Sequence, residues 1–296
     1  AAMPIEQAAA GFLALLAFAL GGTIGSFLNV VVYRLPRGQS LSDPPSRCPK
    51  CEHPIRWHDN VPVLGWLLLG GRCRDCRASI SPRYPAVEAT VAILFLGLAL
   101  LEFGTRGANL PVRPVLVDDG VLFPRRGLGE IGAIWAYHLL LLCTLLPAAL
   151  IELDRLASPW RLFGPALTVG LLGPLFAPHL HPVPAWPDLS GPGGVFVGSA
   201  IGIAAGLAAG SVFLLGAAGH QRRGALLGSA AVGLFFGWQA AVLVVLVAAV
   251  CFLLGALAAA LLPTSNRVPP TAWLMLASLI WITIWRPLVL HVPPLG

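Results

Sequence analysis

The chain has 296 residues, of which 57% are hydrophobic and only 11% charged. A soluble domain is about a quarter charged, so the apolar surplus excludes a water-soluble globular fold and indicates an integral membrane protein. The net charge of +6 invites a nucleic-acid partner, but nine basic residues fall between Arg34 and Arg83, in one loop between two apolar runs. That is the pattern of a cytoplasmic loop.

In chain order, "AAMPIEQ" lacks the basic start of a signal peptide, and the apolar run after it is too long for one, so 8–33 is expected to be a retained span. Seven further apolar segments follow at 84–103, 130–151, 160–178, 195–218, 224–238, 240–262 and 271–290, the sixth of the eight being the shortest. Each comes near the roughly 20 residues that cross a bilayer. The expected fold is therefore an all-α polytopic membrane protein of about eight transmembrane helices. It divides into a first span (1–33), a cytoplasmic domain (34–83) and a helical membrane domain (84–296). With the basic loop inside, the N-terminus lies outside; Arg155, Arg222, Arg223 and Arg267 then fall inside as well. The Gly- and Pro-rich connections 104–129 and 179–194 become outer loops.

"CPKC" (Cys48 to Cys51) and "CRDC" (Cys73 to Cys76) stand twenty-one residues apart. Two such knuckles offer four thiolates to one tetrahedral ion, so Cys48, Cys51, Cys73 and Cys76 are expected to bind zinc. Four thiolates leave no open position, which makes the zinc structural, and a loop of about fifty residues has too small a core to fold readily without help. The alternative, a pair of disulfides, is disfavoured on a reducing cytoplasmic side. Cys143 and Cys251 lie in apolar segments and read as packing residues.

"GSFLNVVVYRLPRGQSL" (Gly25 to Leu41) and "SRCPKCEHPIRWHDNVPVLGWLLLGGRCRDCRASISPRYPAVE" (Ser46 to Glu88) resemble the start of the prepilin leader peptidase / N-methyltransferase family. The resemblance implies a multi-pass protein of the bacterial inner membrane. Such proteins cleave the leader of type IV prepilins and of type II secretion pseudopilins. They then methylate the new N-terminus with S-adenosylmethionine. Proteolysis in that family uses two intramembrane aspartates that activate water. Read from the residues alone, Asn29 is an interspan hydrogen-bonding group, and Glu88 is either an interfacial acid answering Arg83 or a functional group at membrane depth.

The catalytic half departs from the family pattern. "IELDRLASPW" (Ile151 to Trp160) resembles the segment that carries the first aspartate. By that placement the first acid is Glu152, the second acidic position is Asp154, and Trp160 replaces a final aspartate. Glu keeps the carboxylate but lengthens the arm, and such sites lose much of their rate when misplaced by about 1 Å. "GHQRRGALLGSAAVGLFFGWQ" (Gly219 to Gln239) resembles the segment that carries the second. There Ala225 takes the place of the family's GxGD aspartate and Leu227 that of the lysine. No Asp or Glu follows Asp188 in the sequence. Glu152 and Asp154 stand two apart, so they do not share a helix face. His138 and His220 read as packed or interfacial residues rather than substitute bases. The expectations are thus a prepilin-peptidase-like protein with a degenerate dyad, a pseudoenzyme that binds prepilin helices, or a protein that only transfers methyl groups.

Overall fold

A computed structural model describes residues 4–107, 109–110, 125–181, 191–261 and 268–291. Asp188, Arg267 and most of the two expected outer loops lie outside these residues. Among the described residues there are no strands, only two isolated bridges. Helices are what apolar runs must form in lipid, because each then satisfies its own backbone. The long ones are α1 (Pro4–Arg34), α3 (Arg83–Glu102), α4 (Arg125–Leu153), α5 (Trp160–Phe176), α6 (Gly191–Gly210), α7 (Gly219–Leu261) and α8 (Pro270–His291); α2 (Leu64–Leu68) is a single turn. Five of them are long and apolar enough to cross a membrane by length and composition. The chain forms two compact units, residues 1–100 and 101–296.

In the first unit, α1 and α3 pack as an antiparallel pair through small residues. A Cβ at Gly21 would come within 2.8 Å of the Ala92 backbone, and one at Gly25 within 2.8 Å of Glu88. Spacing of four puts both glycines on one face, which lets the backbones approach. One turn further on, Asn29 Nδ2 donates to the Tyr84 carbonyl at 3.1 Å. Asn29 is thus the interspan hydrogen-bonding group its position implied.

In the second unit, α6 carries glycines at 202, 206 and 210. Gly202 meets the Gly233 backbone, Gly206 meets the backbone of Ser229, and Gly210 meets the Ser229 side chain. Yet Phe213, just past α6, packs edge-on to Phe252 at 5.7 Å. A straight helix would separate 229 from 252 by about 34 Å, far beyond what the three residues from Gly210 to Phe213 reach. The chain therefore folds back inside α7, at Gly237, whose φ of 78° and ψ of 168° are non-helical. The predicted spans 224–238 and 240–262 are thus two arms, 219–236 and 238–261, joined at one residue. The break leaves the Leu234 carbonyl in need of a donor. His181 Nε2 at 2.7 Å and the Tyr137 hydroxyl at 3.3 Å supply it, and Tyr137 stacks on Phe235 at 4.0 Å.

Local signals set the ends of the elements around the site. Gln221 Oε1 accepts from the Ala218 N–H at 3.1 Å, a capping arrangement that starts α7. At the end of α4, Arg155 takes φ 59°. Its N–H donates to the Glu152 carbonyl and that of Leu156 to Ile151, the paired bonds that close a helix on a left-handed residue. Inside α4, His138 is fully buried with Nδ1 2.6 Å from Glu102 Oε1. It is a packed residue with an ionisable partner, and it lies about 21 Å along α4 from Glu152.

A side chain at Gly237 cannot adopt its backbone conformation without strain of about 1–3 kcal/mol. Gly237→Ala is expected to lower the stability of the full chain by that amount, measured as a shift of the equilibrium unfolding midpoint in mixed micelles.

Candidate functional site

The two CxxC segments of the first unit fold alike. In the first, the Cys48 N–H donates to the His53 carbonyl and the Glu52 N–H to the Cys48 carbonyl; in the second, Cys73 N–H donates to Ala78 and Arg77 N–H to Cys73. Glu52 and Arg77 both take φ 59°, and an isolated bridge closes each loop, Arg47 with Pro54 and Arg72 with Ser79. These matching turns point four sulfurs inward, all within 4.8 Å of one another. Cys48 Sγ lies 3.7 Å from Cys76 Sγ, and Cys51 Sγ 3.9 Å from Cys73 Sγ. Metal–sulfur bonds of about 2.3 Å in a tetrahedron demand sulfur separations of about 3.8 Å. The cluster fits a tetrahedral thiolate ion, and the four cysteines are free thiols. The backbone N–H groups of Cys51 and Lys50 pull the Cys48 thiol down to about 6. At Cys51 the His53 N–H works in the same direction, but burial and the neighbouring sulfurs outweigh it and push the thiol up to about 12. Four sulfurs crowded this closely make a site that a cation would complete.

Asp59 ties the loop between the knuckles to the second one. Arg74 donates to it through Nε at 2.8 Å and through Nη2 at 2.5 Å, and this pairing holds the Asp59 carboxyl below the usual carboxylate range. On α3, Glu88 Oε2 accepts from the Val63 N–H at 2.7 Å. Glu88 therefore holds a turn of the loop.

In the second unit, Glu152 stands in the last turn of α4 and is only 1% exposed. Its Oε2 accepts from Thr271 Oγ on α8 at 2.7 Å, and its Oε1 from Ser158 Oγ at 3.4 Å. Its Oε1 lies against Gly224 on α7, in the space a Cβ there would occupy. The fold thus joins the two segments singled out in the sequence, although Glu152 meets Gly224 rather than Ala225, its fully buried neighbour. Asp154 lies beyond the end of α4 and is exposed. Trp160 is 65% exposed, and Arg222 and Arg223 are exposed as well; His220 is half-buried at the start of α7. Glu130 is about 33 Å from Glu152 along α4, and Glu102 pairs with His138. Among the described residues of this unit, Glu152 is the single buried carboxylate at the junction. No local pattern pointed to Thr271; Ser158, a hydroxyl beside the acidic segment, was the one faint signal.

Fold and site define a polytopic membrane protein with a four-thiol module in its first unit and a helical second unit built around one buried carboxylate. Residues 19–102 match the family described as the bacterial peptidase A24 N-terminal domain. The chain is 36% identical over 158 residues to a prepilin leader peptidase/N-methyltransferase of Myxococcus xanthus, covering 52% of this chain and 38% of that one. To the type 4 prepilin-like proteins leader peptide-processing enzyme of Escherichia coli it is 42% identical over 130 residues, covering 38% of this chain and 44% of the other. To a prepilin leader peptidase/N-methyltransferase of Klebsiella pneumoniae it is 39% identical over 127 residues, covering 36% and 56%. The chain thus spans about two fifths to just over half the length of these curated relatives. No solved structure matches it.

Purified chain is expected to carry one divalent metal ion, measured by elemental analysis, and Cys73→Ser to lose it. In the second unit, Gly224→Ala forces the Glu152 carboxylate out of its seat and Thr271→Val removes its shorter hydrogen bond. Each is expected to cost about 1–3 kcal/mol, read from unfolding midpoints, and Thr271→Ser to restore most of the second loss.

Proposed function

We propose that this chain is a prepilin-peptidase-like protein of the bacterial inner membrane that engages the N-terminal segment of type IV prepilins or pseudopilins without two-carboxylate proteolysis. The observation that carries this reading is the junction of Glu152 with Gly224, beside the buried Ala225. An aspartic peptidase needs two carboxylates close enough to share a proton, one acting as base toward water and the other polarising the carbonyl. Here the first acid is a glutamate held by two hydroxyls, and the second position is alanine. Asp154, the other acid of the α4 segment, is exposed. A lone buried carboxyl of this kind serves to hold α4, α7 and α8 together.

The four cysteines would hold a structural zinc ion, which keeps the small module folded and supplies no reaction step. We place this module on the cytoplasmic side with the N-terminus outside, on the excess of basic residues between Arg34 and Arg83. S-adenosylmethionine, the methyl donor of the family activity, would need acceptors for its ribose hydroxyls, a task that carboxylates perform in nucleotide sites. A cavity of about 440 Å³ in the first unit is lined by Thr23, Ser26, Ser46, Trp57, Asn60 and apolar groups. It holds no carboxylate, and its polar lining is hydroxyls and one amide.

The full chain in proteoliposomes, incubated with an intact prepilin, is expected to crosslink to it and leave its leader in place, as read by mass spectrometry. Leader removal that is lost in Glu152→Gln would show a working peptidase and overturn the proposal. Absence of any crosslink would remove the prepilin as partner. Methyl incorporation from S-adenosylmethionine into an already processed pilin peptide would establish the transferase reading instead.

A further inference from the structure

The first unit contains a segment whose apolar side chains point the wrong way for a water-soluble loop. In α2, Leu64, Leu67 and Leu68 stand at i, i+3 and i+4, one face of the turn, and they are 56%, 57% and 83% exposed. Trp57, seven residues earlier, is 84% exposed. The polar contacts of this segment point inward instead. The Val63 N–H is held by Glu88, Trp66 Nε1 donates to the Ile80 carbonyl at 3.0 Å, and Gly65 abuts the Asp59 carbonyl. Apolar outside and polar inside is the arrangement of a surface that faces lipid.

Its position along the spans says the same. Asn29 bonds the first turn of α3. Seven residues deeper on α1, Pro62 packs on Gly22, where a Cβ would meet it at 3.2 Å. Seven residues of helix are about 10 Å, so the turn at Pro62 runs about that far along the α1–α3 pair past the start of α3. α3 has 20 residues, about 30 Å, which is the thickness of the hydrocarbon layer. The turn therefore enters the membrane side of the interface. Val63 completes the reversal with φ 62° and ψ −52°, a strained conformation for a β-branched residue. The Leu64 N–H closes the turn by donating to the Pro62 carbonyl at 2.6 Å. Residues 34–83 carry nine basic and four acidic side chains, a net of +5, which suits an anionic leaflet.

We propose that residues 57–68 form a re-entrant interfacial anchor: Trp57, Leu64, Leu67 and Leu68 sit in the headgroup–acyl boundary of the anionic leaflet that faces the four-cysteine module. Glu88 and the Gly22–Pro62 contact fix the anchor's depth. The expected module of 34–83 is then not wholly aqueous. It is fastened to the bilayer at three places, its two flanking spans and this turn, which holds the thiol cluster at the membrane surface. The inference rests on the membrane spans alone and is independent of prepilin handling.

The test places one fluorescent amino acid by codon suppression at Leu68, and in a second protein at Lys50, a control in the first knuckle. Both full chains are reconstituted in vesicles of phosphatidylethanolamine and phosphatidylglycerol. Metal content confirms that the module is folded. Lipids with a nitroxide near the top of the acyl chain are expected to quench position 68 roughly threefold or more over position 50, and aqueous iodide to do the reverse. Equal iodide quenching at both positions would place the turn in water and overturn the proposal. Protection of position 68 from both quenchers would mean that protein covers it, and would overturn it too.

Discussion

The second unit depends on one buried contact, the carboxylate of Glu152 lodged between α4, α7 and α8. A carboxyl at membrane depth is costly unless its oxygens are bonded. Thr271 and Ser158 bond them. Gly224 has to be glycine because the Glu152 oxygen takes up the space of its side chain. The left-handed turn at Arg155 ends α4 immediately after this residue, so the acid is presented at a helix end, beside the first turns of α7 and α8. The junction of the three helices is thus built around one buried carboxylate.

The same economy of space governs the rest of the unit. α6 and the first arm of α7 meet glycine to glycine at 202 and 233, and the fold-back at Gly237 is possible because glycine alone tolerates that backbone conformation. Lipid gives no hydrophobic force to pull helices together. Close backbone approach and a few buried hydrogen bonds do the holding, as His181 and Tyr137 do at the Leu234 carbonyl.

In the first unit the organising demand is different. A module of about fifty residues has two short knuckles and little core. Four sulfurs spaced for a tetrahedral ion stand in for that core, Arg74 and Asp59 brace it, and Glu88 ties it to α3. Glu88 was readable from the sequence either as an interfacial acid or as a functional one. The structure makes it the group that caps the Val63 turn.

Apolar length alone determined that this is a helical membrane protein, and cysteine spacing alone determined the four-thiol cluster, because both signals are local and periodic. The motif from Gly25 to Glu88 likewise carried the resemblance that the match over residues 19–102 supports. Position in the sequence also showed that no carboxylate follows Asp188. Only the tertiary structure decided what surrounds Glu152. Thr271 lies 119 residues away, and no spacing rule links a threonine on α8 to a glutamate ending α4. It also decided that Asp154 turns outward, because that follows from how α4 ends. And it decided that the leucines of α2 point away from their own module, because hydropathy records that a residue is apolar but not which way the fold turns it.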